Sequence, residues 1–186
     1  MGLDMYLNKK TYVKNWEHNG KKNQHKITVK KGGKTRTDIK PERISYITEE
    51  VAYWRKFNAL HGWFVNECAN GVDECQSIYV GEDKLKELLE LLKKVQMVIN
   101  QSELKVVVLK DWNGEDYKQK VYKCEKKIKE LLPPTEGFFF GGYEVDEWYK
   151  NSVDETVTTI EDLLKEHEES KENGLWCGEF YYQASW

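Results

Sequence analysis

The sequence contains little cysteine and proline, and it lacks a long apolar run. Four cysteines and three prolines are spread over 186 residues, and no two cysteines form a C-x-x-C pair. This spacing indicates buried, reduced thiols rather than a zinc site or a disulfide framework. No apolar stretch approaches the ~18–20 residues of a membrane span, and the opening residues lack the apolar segment of a secretory signal. We therefore expect a cytoplasmic protein that does not bind a membrane.

Motifs for nucleotide and metal chemistry are also incomplete. Residues 32–35 (GGKT) resemble part of a phosphate-binding loop, but Thr28 stands where the earlier glycine is needed, and strand-like residues follow. His167 is followed by Glu168, yet no second histidine lies at the spacing of a zinc ligand. The sequence therefore predicts no metal and no cofactor.

The net charge of −3 is unevenly distributed. Residues 14–43 contain ten Lys or Arg and three acidic residues, whereas residues 143–172 are strongly acidic. The negative total argues against direct nucleic-acid binding. Such asymmetry usually gives two solvated faces, and less often it marks a docking surface.

A basic hairpin is predicted over residues 25–39. The pair Gly32-Gly33 readily adopts the positive φ angles of a two-residue turn. Four cationic residues surround this turn: Lys30, Lys31, Lys34 and Arg36. Two interpretations remain open: a basic finger that contacts a partner, or a strand edge that lysines keep soluble.

Aromatic residues are abundant, with seven Trp, eleven Tyr and six Phe. They support one folded domain over residues 1–186, with aromatic packing or an aromatic recognition surface. The densest aromatic stretch, residues 43–68, has apolar residues at helical spacing of about 100° per residue. It predicts one long, central, aromatic-rich helix.

Polar residues interrupt the apolar face of this predicted helix. The residues at its centre are Glu50, Trp54, Asn58 and His61, and Arg55 lies at its margin. Glu50 and His61 are eleven residues apart, so a helix would separate them by about 16 Å and exclude a direct acid–base pair. Either these groups satisfy neighbouring polar atoms, or they frame a site in which a ligand stacks on Trp54.

A second candidate site combines residues 137–142 (GFFFGG) with Asp146, Glu147 and Trp148. Three consecutive Phe residues cannot all face one side of a strand, and the flanking glycines allow the close approach that a binding lip at Phe139 needs. Asp146 and Glu147 at a helix start complement the helix dipole. Alternatively, the two carboxylates hold a metal or act as general acid and base.

Periodicity predicts the remaining elements. Alternating apolar residues predict strands over residues 2–13, 77–80, 104–109 and 176–186. The last of these strands is expected to pair near the first. Apolar stripes predict helices over residues 82–98 and 145–169.

Residues 110–132 fit two patterns. Apolar residues at helical spacing favour a helix that ends before Pro133, whereas Asn113-Gly114 would turn a hairpin. Together, the patterns predict an α+β fold. In it a small, mainly antiparallel sheet (N-terminal strand, basic hairpin and C-terminal strand) packs against about three to four helices around the central helix.

Several separated blocks of sequence resemble a widespread family of small phage and prophage proteins. These blocks are GLDMYL, RISYITEEVAYWRK-x-NALHGWFV, YVGEDKLKELLEL, LLPPTEGFFFGG, DEWY and FYYQASW. The resemblance covers most of the chain and implies a phage-encoded accessory protein. Such a protein is expected to inhibit a bacterial anti-phage defence, such as a CRISPR effector or a nucleotide-signalling system.

Two function classes follow. The leading hypothesis is a binding protein without catalysis, whose partner is a host defence protein or its nucleotide ligand, and which could form a homo-oligomer. The alternative is a small enzyme that processes a nucleotide or phosphoester, or a protein that sequesters a nucleotide, with a pocket beside the central helix. The alternative would use His61, Glu50 and the Asp146-Glu147 pair.

Overall fold

The chain forms eight strands and four α-helices in a computed structural model that describes residues 2–18, 20–111, 113–137, 139–175 and 178–186. The strands are β1 (Asp4–Tyr12), β2 (Lys30–Lys31), β3 (Lys34–Thr35), β4 (Tyr46–Arg55), β5 (Ile78–Val80), β6 (Leu104–Lys110), β7 (Asp116–Tyr122) and β8 (Glu179–Ser185). The helices are α1 (Asn58–Ala69), α2 (Glu82–Asn100), α3 (Glu125–Leu131) and α4 (Glu147–Glu172). The predicted α+β class is confirmed.

The main sheet has four antiparallel strands in the order β4-β1-β8-β5. In the middle strand β1, Met5 lies opposite Trp54 of β4 on one side and Ala184 of β8 on the other. The prediction that the last strand pairs with the first is therefore confirmed. Trp176 and Cys177, which the predicted strand included, lie outside the described residues.

Alternation along the strands separates a buried face of the sheet from an open one. Leu3, Met5 and Leu7 are fully buried, and they face the helices together with the inward residues of β8 and β5. The opposite face carries tyrosines, of which Tyr53 and Tyr79 remain about half exposed. The sheet thus forms one layer and the helices form the second.

The two long helices pack against each other in the second layer, and their predicted positions are confirmed. Both bury apolar residues at helical spacing: Leu85, Leu88, Leu92 and Val95 on α2, and Val153, Val157 and Ile160 on α4. Gln96 of α2 donates to Asp154 of α4 over 2.8 Å, which adds a polar contact to the apolar one.

None of the helices formed by the described residues combines the length and the apolar composition that a membrane span requires.

The single helix predicted over residues 43–68 is wrong in its first half. Pro41–Arg43 forms a single 3-10 turn, Tyr46–Arg55 forms β4, and only Asn58–Ala69 is helical. Strand β4 is rich in β-branched and aromatic residues, which suit a strand as well as a helix face. Pairing with β1 decides for the strand, and Lys56, with φ of 60°, turns the chain into α1.

The helix favoured over residues 110–132 is also wrong, and the alternative hairpin is found. β6 and β7 pair from Leu104 opposite Tyr122 to Lys110 opposite Asp116. Gly114 takes the positive φ of 83° that the turn requires. Only Glu125–Leu131, the short α3, is helical in this part of the sequence.

A long connection leaves the main sheet between β1 and β4. We call residues 14–43 within it the basic arm. The predicted hairpin turns there at Gly32-Gly33, whose φ angles are 55° and 78°. Its two strands are two residues long and form their own ladder, so the prediction that the hairpin belongs to the main sheet is wrong.

Candidate functional site

The residues predicted to line one helix face are divided between β4 and α1. Glu50 is exposed on β4, where it lies opposite Asn8 of β1. Trp54 is 7% exposed and packs against Phe64, with 6.3 Å between ring centroids. The structure therefore does not bring Glu50 to His61, and the ring of Trp54 is not open to a ligand.

His61 of α1 is 1% exposed, and both of its ring nitrogens have protein partners. Nδ1 lies 2.8 Å from the hydroxyl of Tyr182 on β8, and Nε2 lies 3.0 Å from a carboxylate oxygen of Asp73, which follows α1. Asp73 accepts from Nε2–H, which leaves Nδ1 to accept the hydroxyl proton of Tyr182. Burial, reinforced by the charge of Asp73, raises the pKa of Tyr182, so the phenol stays protonated and donates.

Aromatic rings close around this Asp73–His61–Tyr182 chain. Phe140 meets His61 edge-on, with 5.2 Å between ring centroids. Trp186 contacts Phe140 at 5.8 Å, and its indole N–H donates to Asp73 over 3.4 Å. His61 and Tyr182 are thus buried, whereas Asp73, at the end of the chain of hydrogen bonds, is 27% exposed. The contacts tie together α1, the loop after it, β8 and Phe140.

Asn58, at the start of α1, holds the glycine–phenylalanine segment 137–142. Its side-chain amide donates to the carbonyl oxygen of Gly142 over 2.9 Å and to that of Phe140 over 3.4 Å. Asn58 is 3% exposed, so these bonds satisfy a buried amide. The structure thus brings Asn58 and His61 together beneath the same segment, where both act on other protein groups.

Two neighbouring Phe residues of this segment point in opposite directions, as the sequence predicts for consecutive phenylalanines. Phe140 is 4% exposed and Phe139 is 52% exposed, whereas Phe138 lies outside the described residues. Phe139 has a φ of 66°, in the left-handed region that favours glycine. A large apolar side chain therefore stays half exposed on a backbone conformation that costs about 1–2 kcal/mol.

Four exposed aromatic residues contact the buried aromatic residues or adjoin them in sequence, and we call these four the aromatic rim. They are Phe139 (52% exposed), Tyr143 (39%), Trp148 (46%) and Trp186 (52%). Trp148 stands edge-on to buried Phe57 at 6.3 Å, Trp186 contacts Phe140, and Tyr143 follows the glycine held by Asn58. The rim thus rests on a packed base, and it includes Phe139 and Trp148, which were predicted from the sequence.

Arg55, also predicted as a site residue, lies beside the rim on the open face of the sheet. Its guanidinium is 2.9 Å from Asp4, which also accepts a 2.5 Å hydrogen bond from Tyr53. Hydrogen bonding with Tyr53 and the charge of Asp4 raise the pKa of Arg55. Arg55 borders the rim because its guanidinium and the backbone of Phe139 both lie close to Gly2. A Cβ atom placed on Gly2 would lie 3.5 Å from the guanidinium and 3.8 Å from the carbonyl oxygen of Phe139.

The predicted acidic pair serves the start of α4. Asp146 accepts from the backbone N–H of Tyr149 over 2.9 Å, as an N-cap, and from the amide of Gln119 over 3.0 Å. Glu147 occupies the exposed first turn, where it complements the helix dipole. Neither carboxylate joins His61, and the described residues contain no group of three His, Cys, Asp or Glu that could hold a metal ion.

A cavity of about 220 Å³ does lie beside α1. It is lined by Ala59, Gly62, Trp63, Asn66, Glu67, Leu131, Leu132, Pro133 and Thr135. None of the residues proposed for catalysis, His61, Glu50 or the Asp146-Glu147 pair, is among them. Glu67 is the one ionisable group in the lining, so this cavity offers no acid–base pair for nucleotide chemistry.

The basic hairpin lies apart from the rim. Lys30, Lys31 and Lys34 are exposed, whereas Arg36 forms an ion pair with Asp38 through two hydrogen bonds. These bonds lower the pKa of Asp38 and raise that of Arg36. The three lysines thus present their charge to solvent.

Sequence reasoning missed Asp73, Tyr182 and Trp186 as members of the site. Asp73 follows the Asn70-Gly71 helix stop and reads as an ordinary loop acid. Tyr182 alternates with outward residues in the last strand, which predicts burial but not a polar partner. Only the register of β8 against β1 brings its hydroxyl to His61.

Comparisons of the chain with protein-family models, with curated proteins and with solved structures find no match. The fold defines a two-layer α+β protein. The aromatic rim and the basic arm are two exposed features of its described surface.

Proposed function

We propose that the protein is a phage-encoded accessory protein that inhibits a bacterial anti-phage defence by binding a defence protein through its aromatic rim. The aromatic rim on its packed base is the observation that carries this proposal. Half-exposed Trp and Phe side chains are the residues that most often supply binding energy at protein interfaces. The action is expected in the cytoplasm of the infected host.

Binding is favoured over catalysis because the polar groups of the site are already engaged. Asp73 and Tyr182 occupy both ring nitrogens of His61, and Asn58 is bonded to two backbone carbonyls. A general base needs a nitrogen or oxygen within hydrogen-bond reach of its substrate. In the described part of the site, these buried groups instead fix the position of the surface above them.

The buried residues beneath the rim also lower the entropic cost of binding. Phe140 and Phe57 are buried beneath Trp186 and Trp148, so these side chains lose little freedom on docking. Phe139 is held outward at a positive φ angle, and such strained conformations concentrate at functional sites. The rim therefore supplies apolar area at a low entropic cost.

The resemblance to phage and prophage proteins supports the choice of a defence protein as the partner. Several blocks that carry this resemblance contribute to the rim or to the buried residues beneath it: GFFFGG contributes Phe139 and FYYQASW contributes Trp186, whereas NALHGWF contributes buried Asn58 and His61. A nucleotide ligand of the defence is a different outcome, and it would require a pocket that accepts the nucleotide when the protein is titrated with it.

An infection assay tests the proposal. Hosts that carry individual defence systems are infected while they express the protein, a rim variant (Phe139→Ser with Trp148→Ser), or a control variant (Tyr79→Ser with Tyr117→Ser). Tyr79 and Tyr117 are 56% and 42% exposed, similar to the two rim residues, but they lie on other surfaces. Unchanged melting temperatures establish that all three proteins are folded.

The wild type and the control are expected to restore infection in one defended host and to capture one stoichiometric host protein. The rim variant is expected to lose both effects by at least about tenfold, because each removed anchor costs about 2 kcal/mol or more. Protection by the rim variant at the wild-type level would contradict the proposal, as would protection in none of the defended hosts.

A further inference from the structure

The basic arm concentrates positive charge in a protein that is acidic elsewhere. Ten Lys or Arg residues against three acidic ones give residues 14–43 a net charge of +7. Since the whole chain has a net charge of −3, the remaining residues carry −10. The negative net charge of the whole chain argued against nucleic-acid binding. It is the sum of a basic segment and an acidic remainder, so it does not describe the basic arm.

Little of this charge is neutralised within the protein. Seven lysines of the arm are exposed: Lys21, Lys22, Lys26, Lys30, Lys31, Lys34 and Lys40. Among the ion pairs formed by the described residues, only Arg36–Asp38 involves the arm. Lysines without a local carboxylate are free to contact an external polyanion.

Aromatic rings lie between these cations. Trp16 is 49% exposed, the ammonium of Lys14 lies 4.7 Å from its ring centroid, and the ring of His18 stacks on it at 6.5 Å. A half-exposed indole flanked by positive charge suits the stacking of an unpaired base.

The end of the main sheet continues this surface where the arm begins. Tyr12 and Tyr46 close the β1–β4 ladder with their rings 5.1 Å apart, and the ammonium of Lys10 lies 4.5 Å from the Tyr46 ring centroid. Three carboxylates also lie on this part of the sheet: Glu179 accepts a hydrogen bond from Tyr181, and exposed Glu49 and Glu50 lie opposite Lys9 and Asn8. Aromatic rings and lysines thus run from the sheet into the arm.

The arm is folded back on itself by specific bonds. The side chain of Asn15 donates to the carbonyl of His25 over 2.8 Å and accepts from the N–H of His25 over 2.7 Å. The hairpin is closed by a 2.9 Å bond from the N–H of Arg36 to the carbonyl of Val29. A cleft of about 310 Å³, lined in part by Asn15, His25 and Lys26, lies at the base. The lysines and Trp16 are therefore carried on an ordered scaffold.

We propose that the basic arm and the adjoining Tyr12–Tyr46 end of the sheet bind single-stranded nucleic acid. The lysines of the hairpin contact phosphates, and Trp16 with the two tyrosines supplies faces on which bases stack. A duplex would hide its bases from these rings, so the unpaired strand is the ligand. This activity is additional to partner binding by the aromatic rim and uses different residues.

Fluorescence anisotropy with a labelled oligothymidylate tests the proposal on the full chain. The competitors are a duplex of the same length and a polyglutamate of similar charge, at salt concentrations from about 50 to 200 mM. The first variant is Lys30→Gln with Lys31→Gln and Lys34→Gln. Its matched control is Lys105→Gln with Lys118→Gln and Lys120→Gln, three exposed lysines of the β6–β7 hairpin.

The arm variant is expected to bind about tenfold more weakly, and the slope of log affinity against log salt should fall by about 2, or about 0.7 for each lost phosphate contact. The matched control and the rim variant (Phe139→Ser with Trp148→Ser) should bind like the wild type. Trp16→Ala should weaken binding about fivefold or more through loss of stacking, with an unchanged salt slope.

Four results would overturn the proposal. They are no oligothymidylate binding at the lowest salt, equal losses in the arm variant and its matched control, full affinity in Trp16→Ala, and equal competition by polyglutamate. The last result would assign the arm to an acidic protein surface. Because the rim variant is measured in the same assay, failure of this proposal leaves the test of the rim unaffected.

Discussion

The aromatic rim and the basic arm both expose tryptophan, but they support it in opposite ways. At the rim, Trp148 and Trp186 stand on the buried rings of Phe57 and Phe140. In the arm, the ring of Trp16 contacts the ammonium of Lys14 and the exposed ring of His18. The difference teaches that the rim depends on the core for its shape, whereas the arm is held mainly by hydrogen bonds within it.

The largest expected difference in the free energy of unfolding is between Phe64→Ala, in the core, and Trp16→Ala, in the basic arm. Phe64 is fully buried and stacks on Tyr182 with 4.1 Å between centroids. Phe64→Ala should lower the free energy of unfolding by about 3–5 kcal/mol, because it leaves a cavity. Trp16→Ala should change it by less than about 0.5 kcal/mol, since the ring is half exposed. Urea unfolding measures the free energy of unfolding of both variants. A similar loss in the two would contradict the claim that the core supports the rim but not the arm.

A smaller effect is expected from the hydroxyl of Tyr182. Tyr182→Phe keeps the stacked ring but leaves Nδ1 of buried His61 without its donor, at a cost of about 1–3 kcal/mol in unfolding free energy. Tyr181→Phe on the same strand removes a hydroxyl bonded to exposed Glu179, and it should cost less than about 0.5 kcal/mol. Equal stability of the two variants would show that the Asp73–His61–Tyr182 hydrogen bonds do not stabilise the residues beneath the rim.

The helix layer should respond to pH through Glu82. Hydrogen bonds from Lys171 and Lys86 lower the pKa of this carboxylate from 4.5 to about 2. The charged form is therefore favoured in the folded state, and its contribution is complete above pH 4.5 and is lost as the pH falls toward 2. Glu82→Gln should cost about 1 kcal/mol at neutral pH and progressively less in acid. Glu90→Gln, at an exposed position of α2, is the control, and a pH-independent cost for Glu82→Gln would contradict this origin.

The smallest expected effect has the opposite sign. Glycine tolerates the φ of 66° at Phe139, so Phe139→Gly should raise the free energy of unfolding by about 0.5 kcal/mol, after allowing for the greater freedom of glycine in the unfolded chain. The same variant should weaken partner capture, because it removes an anchor of the rim. Thermal unfolding and the capture assay together test whether the backbone strain at Phe139 accompanies partner binding. A destabilised Phe139→Gly protein would show that the backbone at this position is not strained.

Local patterns predicted the parts of the fold that depend on one element at a time. The apolar stripes of α2 and α4 and the alternation of β8 needed no knowledge of their neighbours. Residues 46–55 could not be assigned in this way, because their β-branched and aromatic residues fit a helix face and a strand equally well. Pairing with β1 decided between them.

The candidate site shows the same division. Composition and spacing singled out Phe139, Trp148, Asn58 and His61. In the structure the first two are exposed, and the other two are buried and bonded to protein groups. Their roles could not be read from the sequence, since the partners of His61 come from positions 73 and 182, on two other segments. A contact between such distant segments is set by strand register rather than by local periodicity.

The most direct test of the central claim, that His61 supports a binding surface and performs no chemistry, is phage survival on a defended host that expresses His61→Gln. Glutamine has a donor for Asp73 and an acceptor for Tyr182, but it cannot act as an imidazole base. We predict that this variant, when folded, protects the phage as the wild type does and still captures the same host protein. A folded His61→Gln protein that captures the partner but no longer protects the phage would contradict the claim and assign a chemical role to the imidazole.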